Sequence, residues 1–581
     1  MPGNNARAAG LWVGRPPYGL TSLMAKRAIR AWKRTPCLLI LVLIAAFARA
    51  AAGQNDPDAD WREGRLPASV AQGTPKSGGT LVVRIDQEPP SLDGITDSSL
   101  AIVWMLERKV VESMAELDAS KHPDYPLKPA LATSWETSPD QLTFTFHLRR
   151  DVVWHDGVPF SGKDVVATVK KILDPAVRSL HLRNNFIDLA DIFTVPGDDF
   201  AVVARQRKPY FLAFRALATL PIYPAHLLQT AGDMLHAPLH RAPVGTGPFR
   251  FEEWKSGDRI SFVRNEKYWG RKAWLDRLVY QVVTDPSVGF QLLKQGKFDL
   301  YLQLQPQQWV RDLEASGLKG RVHRIRFFNP NYNWIGWNEE RPLFADARVR
   351  RALNYAIDTE AVRKTFLFGL DRPTTCHFYS ESSACDASLA PRPYDPGLAA
   401  KLLDEAGWID HDGDGIRDND GVPFRFTFLM NSESTFLAKL APYLQQELTK
   451  IGVAMEIRKV DWALFTQLVG EHRFDATSLR WGNSDVAQDP YEIWHSSQVK
   501  DGSNFVSFKN PQADALIERA RGTLDDAARN ELYRKLGRLL YDGAPYVFLY
   551  SRPSLDAVRV GVHGIRPSVA WYDLQDVWLA R

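Results

Sequence analysis

From Leu142 to Leu148 the chain alternates apolar with polar residues (Leu-Thr-Phe-Thr-Phe-His-Leu), which predicts a strand with one face buried. Thr80 to Ile85 predicts an earlier strand and Phe424 to Phe428 a later one. Elsewhere the period is helical. Val165, Val166, Val169, Ile172 and Leu173 fall on one face, behind a capping box of Ser161 and Asp164, and Asp174-Pro175 ends the run. Asp346 opens a second helix, with Val349, Ala352, Leu353 and Ala356 along one side. Phe436, Leu437, Leu440, Tyr443, Leu444, Leu448 and Ile451 predict a third. Asn510-Pro511 starts a fourth, which carries Leu516, Ile517 and Ala520. Strands and helices mix without repeats, so the fold class is α/β or α+β rather than a solenoid or a sandwich. At 581 residues the chain has room for two or more domains.

The N-terminus follows a different pattern. Lys26, Arg27, Arg30, Lys33 and Arg34 precede an apolar run from Leu38 to Ala48, and Ala48-Arg49-Ala50 follows as an A-x-A site. This predicts a cleavable secretory signal at 1–50 and a periplasmic location. The run is shorter than the ~20 residues of a membrane span. Met24 is an alternative start. Cys37 stands before the apolar run, whereas a lipid-anchor cysteine would follow it. Residues 51–76 are polar and rich in Gly, Pro and Asp, and are expected to be a flexible entry segment.

The leader also explains the charge. The chain carries a net +4, yet residues 1–50 hold eight basic residues and no acidic one. The remainder has 64 basic and 68 acidic residues, which gives no case for nucleic-acid binding. Chemical motifs are few. Gly157 to Lys163 has the spacing of a phosphate loop, but Asp164 stands where Ser or Thr must hold magnesium. There is no nucleophile elbow and no H-E-x-x-H helix. His236 and His240 are four apart, but Pro238 lies between them. No catalytic residue and no cofactor is expected. Asp410, Asp412, Asp414 and Asp418 match positions of a calcium loop, but Gly421 stands where the loop needs its bidentate Glu. A Gly/Asp turn explains that segment better. Cys376 and Cys385 remain after export and close a short polar loop. In an oxidising compartment they are expected to form a disulfide.

Several segments then occur in an order that resembles the exported solute-binding proteins of dipeptide, oligopeptide and nickel ABC importers. They are Gly78-Gly79-Thr80-Leu81 with Ser91-Leu92-Asp93, Pro129 to Glu136, Phe144 to Arg149, and Trp154-His155-Asp156-Gly157. Val244 to Phe249, Arg264 to Trp269, Phe344 to Leu353 with Ile357-Asp358, Asp489-Pro490-Tyr491, Trp494-His495-Ser496 and Gly502-Ser503-Asn504 complete the set. The match runs from about Gly78 to Ser551.

The resemblance implies a two-lobed periplasmic-binding-protein-like fold (class II) with an extra domain inserted in the first lobe. Lobe one would take 77–95, 243–330 and 545–581, with 96–242 as the insert and 331–544 as lobe two. It implies a monomeric receptor, not an enzyme, that closes around a short peptide and delivers it to an importer permease. The same scaffold used for a nickel chelate, haem, an opine or an oligosaccharide, or for a sensor role, stays open. In peptide-binding members a carboxylate shortly after a Trp holds the ligand's amino group. Here Trp481, Gly482, Asn483 and Asp485 match, with Asp485 as the carboxylate, although Trp481 to Pro490 is two residues longer than in well-known peptide binders; Asp489 would be a wrong-side decoy that caps a helix. Asp97, Ser98 and Ser99 would line the cleft. Trp334 is a further candidate, with core packing as its other reading.

Overall fold

The computed structural model describes residues 73–580 apart from 98, 120, 122–124, 231–233, 484 and 570. All of these belong to one compact unit, Asp60–Arg581. The signal at 1–50, most of the entry segment, and Ser98 therefore lie outside the described residues.

The first strand, Thr80–Ile85, occupies the middle of a seven-stranded sheet and runs parallel to both its neighbours, Arg277–Val282 and Leu300–Tyr301. Such a strand is covered on both faces, which is why it is nearly all apolar. Arg84 is the exception. Its buried guanidinium donates to the carbonyls of Val283 (2.6 and 3.0 Å) and Leu302 (3.1 Å), and lies over the Tyr301 ring.

A four-stranded antiparallel sheet lies within 96–242 and contains the alternating segment as Thr143–Leu148. Phe144, Phe146 and Leu148 are buried and the intervening residues are half-buried, as the pattern predicts. Phe214 stacks on Phe146 at 5.5 Å, which brings the short helix Ala213–Ala218 onto this sheet. The capping box at Ser161 and Asp164 opens helix Gly162–Leu173.

The Val244–Phe249 segment fixes the insert against the first sheet. A Cβ on Gly245 would sit 1.7 Å from the Val110 carbonyl oxygen, and one on Gly247 2.6 Å from that of Lys109, so only glycine allows the approach. Between them Thr246 donates to buried Glu112 (2.8 Å), joined by Tyr268 (2.7 Å) and Trp269 (2.9 Å). Burial outweighs these three donors and pushes the Glu112 carboxyl up to about 7.

The second major sheet has five strands, in the order Ala454–Val460, Arg425–Asn431, Ala476–Gly482, Asn331–Trp337 and Tyr546–Tyr550. The predicted helices pack around it: Ala347–Tyr355 capped by Asp346, Leu437–Thr449, and Pro511–Arg521 capped by Asn510. Tyr546–Tyr550 departs from the expected division. It pairs with Asn331–Trp337, so the return to the first sheet comes after Tyr550 and not at 545. Its alternate residues Tyr546 and Phe548 complete the aromatic layer around Trp334, which a strand in the other sheet could not do.

Two crossovers join the two major sheets, one between Phe327 and Asn331 and the other between Tyr550 and Ser554. Asn331 laces them together. Its side-chain amide donates to the Arg552 carbonyl (2.8 Å), and its oxygen accepts from the Arg552 N–H (2.9 Å).

Candidate functional site

Strand Ala476–Gly482 ends on the candidate segment and separates two kinds of packing. On one face Trp481 lies between Trp334 (6.0 Å) and Phe505 (5.5 Å), with both rings stacked. Trp334 in turn stacks on Tyr546 at 4.0 Å, and Trp494 closes on Tyr546 at 4.6 Å. Trp481 remains half-buried, but Trp334 has no exposed surface. Trp334 is therefore corrected from a ligand-binding candidate to a core residue. Cys376 and Cys385 are joined by a disulfide, their Cα atoms 5.7 Å apart, at the edge of this same cluster.

The loop after the strand is held differently. Gly482 is exposed and pairs with Asn331. The Asn483 side chain accepts from the Asp485 N–H (2.9 Å), while its own N–H donates to Pro330 (2.8 Å). Asp485 receives a two-pronged ion pair from Arg215 of the insert, at 2.6 and 2.8 Å, with each side chain about one-fifth exposed. Asp489 accepts from the Tyr491 N–H and from the Tyr210 hydroxyl (3.0 Å), and forms an ion pair with Arg521 (3.1 Å). The Arg521 guanidinium lies over the rings of Tyr210 and Tyr491 and donates to Asn184 O (3.0 Å). A polar seam thus connects 184–215 of the insert with 485–529, closed by Arg529 over Phe211.

The N-terminal candidates are engaged locally. Asp97 accepts from the Ser99 N–H (2.8 Å) and the hydroxyls of Ser99 (3.2 Å) and Ser91 (3.3 Å). Ser99 precedes the short helix Leu100–Met105. Among the described residues, neither Asp97 nor Ser99 is hydrogen-bonded to the Trp481 segment. The four aspartates of the Asp410–Asp418 loop are exposed or half-buried. Three of them already accept backbone N–H groups inside the loop and Asp418 that of His411, which is the turn geometry the sequence favoured.

Sequence reasoning missed the charges at the sheet ends. Arg480 pairs in register with Asn333, which pairs with Tyr550, so the three side chains share one face, opposite to Trp481. Arg480 is half-buried, and its guanidinium has no hydrogen-bond acceptor among the described residues. Burial, with Arg552 nearby, draws its pKa down to about 10, against the pull of Asp86 and Tyr550. Asp86 follows the first strand of the seven-stranded sheet. Arg480 and Asp86 therefore lie at the carboxyl ends of central strands in the two sheets, where open α/β sheets place their ligands. The signal available in the sequence was an Arg inside an otherwise neutral strand, Ala476 to Gly482.

Residues 126–503 match the family model for bacterial extracellular solute-binding proteins, family 5. The chain belongs to that family. This family 5 protein is 28% identical to the oligopeptide-binding protein AppA of Bacillus subtilis over 559 residues, covering 94% of this chain and 98% of that one. It is 28% identical to heme-binding protein A of Haemophilus influenzae over 72% of this chain and 78% of that one. It is 26% identical to the nickel-binding periplasmic protein of Escherichia coli over 72% of this chain and 80% of that one. Its structure superposes on that of AppA in complex with a nonapeptide with a TM-score of 0.78, covering 87% of this chain and all of that one, at 26% identity. It also resembles NikZ from Campylobacter jejuni in complex with Ni(L-His), with a TM-score of 0.74 at 26% identity, covering 84% of this chain and 95% of that one. The protein is accordingly an extracytoplasmic solute-binding protein with the two-lobed periplasmic-binding fold. No helix among the described residues is long and apolar enough to cross a membrane.

Proposed function

We propose that this protein is a periplasmic receptor that closes its lobes around a short peptide and hands it, as a monomer, to the permease of an ABC importer. The observation that carries this reading is the match along nearly the full length of both chains with the oligopeptide-binding protein AppA, whose structure holds a nonapeptide. Trp481 is stacked on Trp334 and Phe505, and the part of its ring left exposed offers the sequence-tolerant apolar contact a peptide receptor needs. Ligand contact with both lobes favours the closed state by its differential affinity, and the permease reads that state. Export through the signal at 1–50 delivers the receptor to its compartment.

One observation favours a second reading, the same scaffold carrying a non-peptide solute. For a peptide ammonium to reach Asp485, it must replace Arg215, an exchange of one cation for another. Haem- and nickel-binding relatives show that family members differ in cargo by name. Native mass spectrometry of protein exported and purified gently separates the two readings. A ladder of short-peptide masses is the expected result, and a single non-peptide mass would overturn the peptide cargo. N-terminal sequencing of the same sample is expected to begin near Ala51.

A further inference from the structure

Between the lobes the charges are arranged unequally. The carboxylate on the candidate segment is already neutralised, because Arg215 holds both oxygens of Asp485. The guanidinium five residues earlier is not. Among the described residues Arg480 makes no hydrogen bond, and neither does the side chain of Arg552. Asp86 acts on Arg480 electrostatically but forms no ion pair with it within 4 Å among the described residues. The Asn333 side-chain nitrogen, next to Arg480 in register, is buried without a partner. As Asp86 acts on Arg480, so Asp556 acts on Arg552, each without an ion pair within 4 Å among the described residues, and both guanidinium groups keep their donors open. A desolvated guanidinium without an acceptor is costly, and an entering carboxylate removes that cost with charge-assisted, two-pronged hydrogen bonds.

We propose that Arg480, supported by Arg552 and Asn333, is the ligand-anchoring residue of the cleft and that it selects solutes bearing a carboxylate. This rests on the receptor reading above and names the ligand group that the receptor recognises. A peptide terminus and a non-peptide acid share this chemistry. Recognition through the ligand's anion also fits an Asp485 that is occupied within the protein.

The test uses mature protein and three probe sets: a pool of synthetic tri- to nonapeptides without Asp or Glu, the same pool amidated at the C-terminus, and a set of citrate, succinate and nitrilotriacetate. Binding is read by native mass spectrometry and melting shift, for wild type and Arg480→Gln. Expected is retention of the free-acid pool, a loss of about tenfold or more on amidation, and the same loss in Arg480→Gln. Because Arg480 makes no hydrogen bond or ion pair among the described residues, the ligand-free variant is expected to melt no lower than wild type, whereas a structural role would lower it. Unchanged binding on amidation, or in the variant, overturns the anchor while the peptide reading stands. Silent peptide pools with acids bound by wild type and lost in the variant would remove the peptide cargo and support the anchor. A wild type that retains none of the three sets overturns the anchor. The amidation comparison needs no variant, so it decides even where Arg480→Gln fails to fold.

Discussion

The aromatic slab beneath strand Ala476–Gly482 and the polar seam against the insert flank one short stretch of chain, yet they are built by opposite rules. The slab stacks Tyr546, Trp334, Trp481 and Phe505 within one lobe, with a disulfide at its edge. The seam joins residues far apart in sequence, such as Arg215 and Asp485, through ion pairs and hydroxyls that water can replace. Apolar stacking is lost only when the lobe unfolds, whereas a partly exposed ion pair exchanges with solvent at little cost. The slab is therefore expected to persist whenever its lobe is folded, and the Arg215–Asp485 pair to open when the two stretches it joins move apart.

The largest test of this contrast is Trp334→Ala. Removing the central ring of the slab is expected to destabilise the protein by about 3–5 kcal/mol, measured by denaturant melts. A loss well below 1 kcal/mol would mean that the slab carries little of the lobe's stability. Replacing Cys376 and Cys385 together with Ser opens a loop of nine-residue separation and is expected to cost about 2–3 kcal/mol in the same melt.

A pH scan comes next, and one group that shapes its response lies in neither region. Glu112 has its carboxyl raised to about 7 by burial, so the folded protein binds the proton that the unfolded chain releases at ordinary pH. Stability from this group is present at low pH and is lost as pH rises through about 4.5 to 7, on the order of 2 kcal/mol between pH 5 and 7. Glu112→Gln is expected to reduce that slope, with Glu339, raised to about 7 by its own burial, carrying part of the remainder, and an unchanged slope would exclude Glu112.

The smallest expected effect on stability is that of Asp485→Asn, about 1 kcal/mol or less. Its signature is a shift in shape. Small-angle scattering of the ligand-free variant is expected to give a larger radius of gyration than wild type, and identical curves would make the seam part of the permanent core.

Much of the fold could be read from local signals because local chemistry decides it. Ser161, Asp346 and Asn510 cap helices where their spacing to apolar residues says they should. Phe144 and Phe146 point inward because a strand alternates. The paired cysteines close a loop short enough to be seen in the sequence. The site was harder. Asp485 meets an Arg 270 residues away, and no local pattern encodes that partner. Trp334 and Trp481 look equivalent in sequence, but only packing tells which ring lies inside. Tyr546–Tyr550 changed sheets because its alternate aromatic residues complete a layer whose other buried members come from residues 332–540.

Asn331 has a mechanical consequence. One side chain grips both the N–H and the carbonyl of Arg552, so the outgoing and returning strands cannot bend independently. The pair works as a single axle rather than two loose tethers. Rotation about one axis leaves the lobes little freedom to shear or wobble, and a docking permease would meet a door that is either ajar or shut.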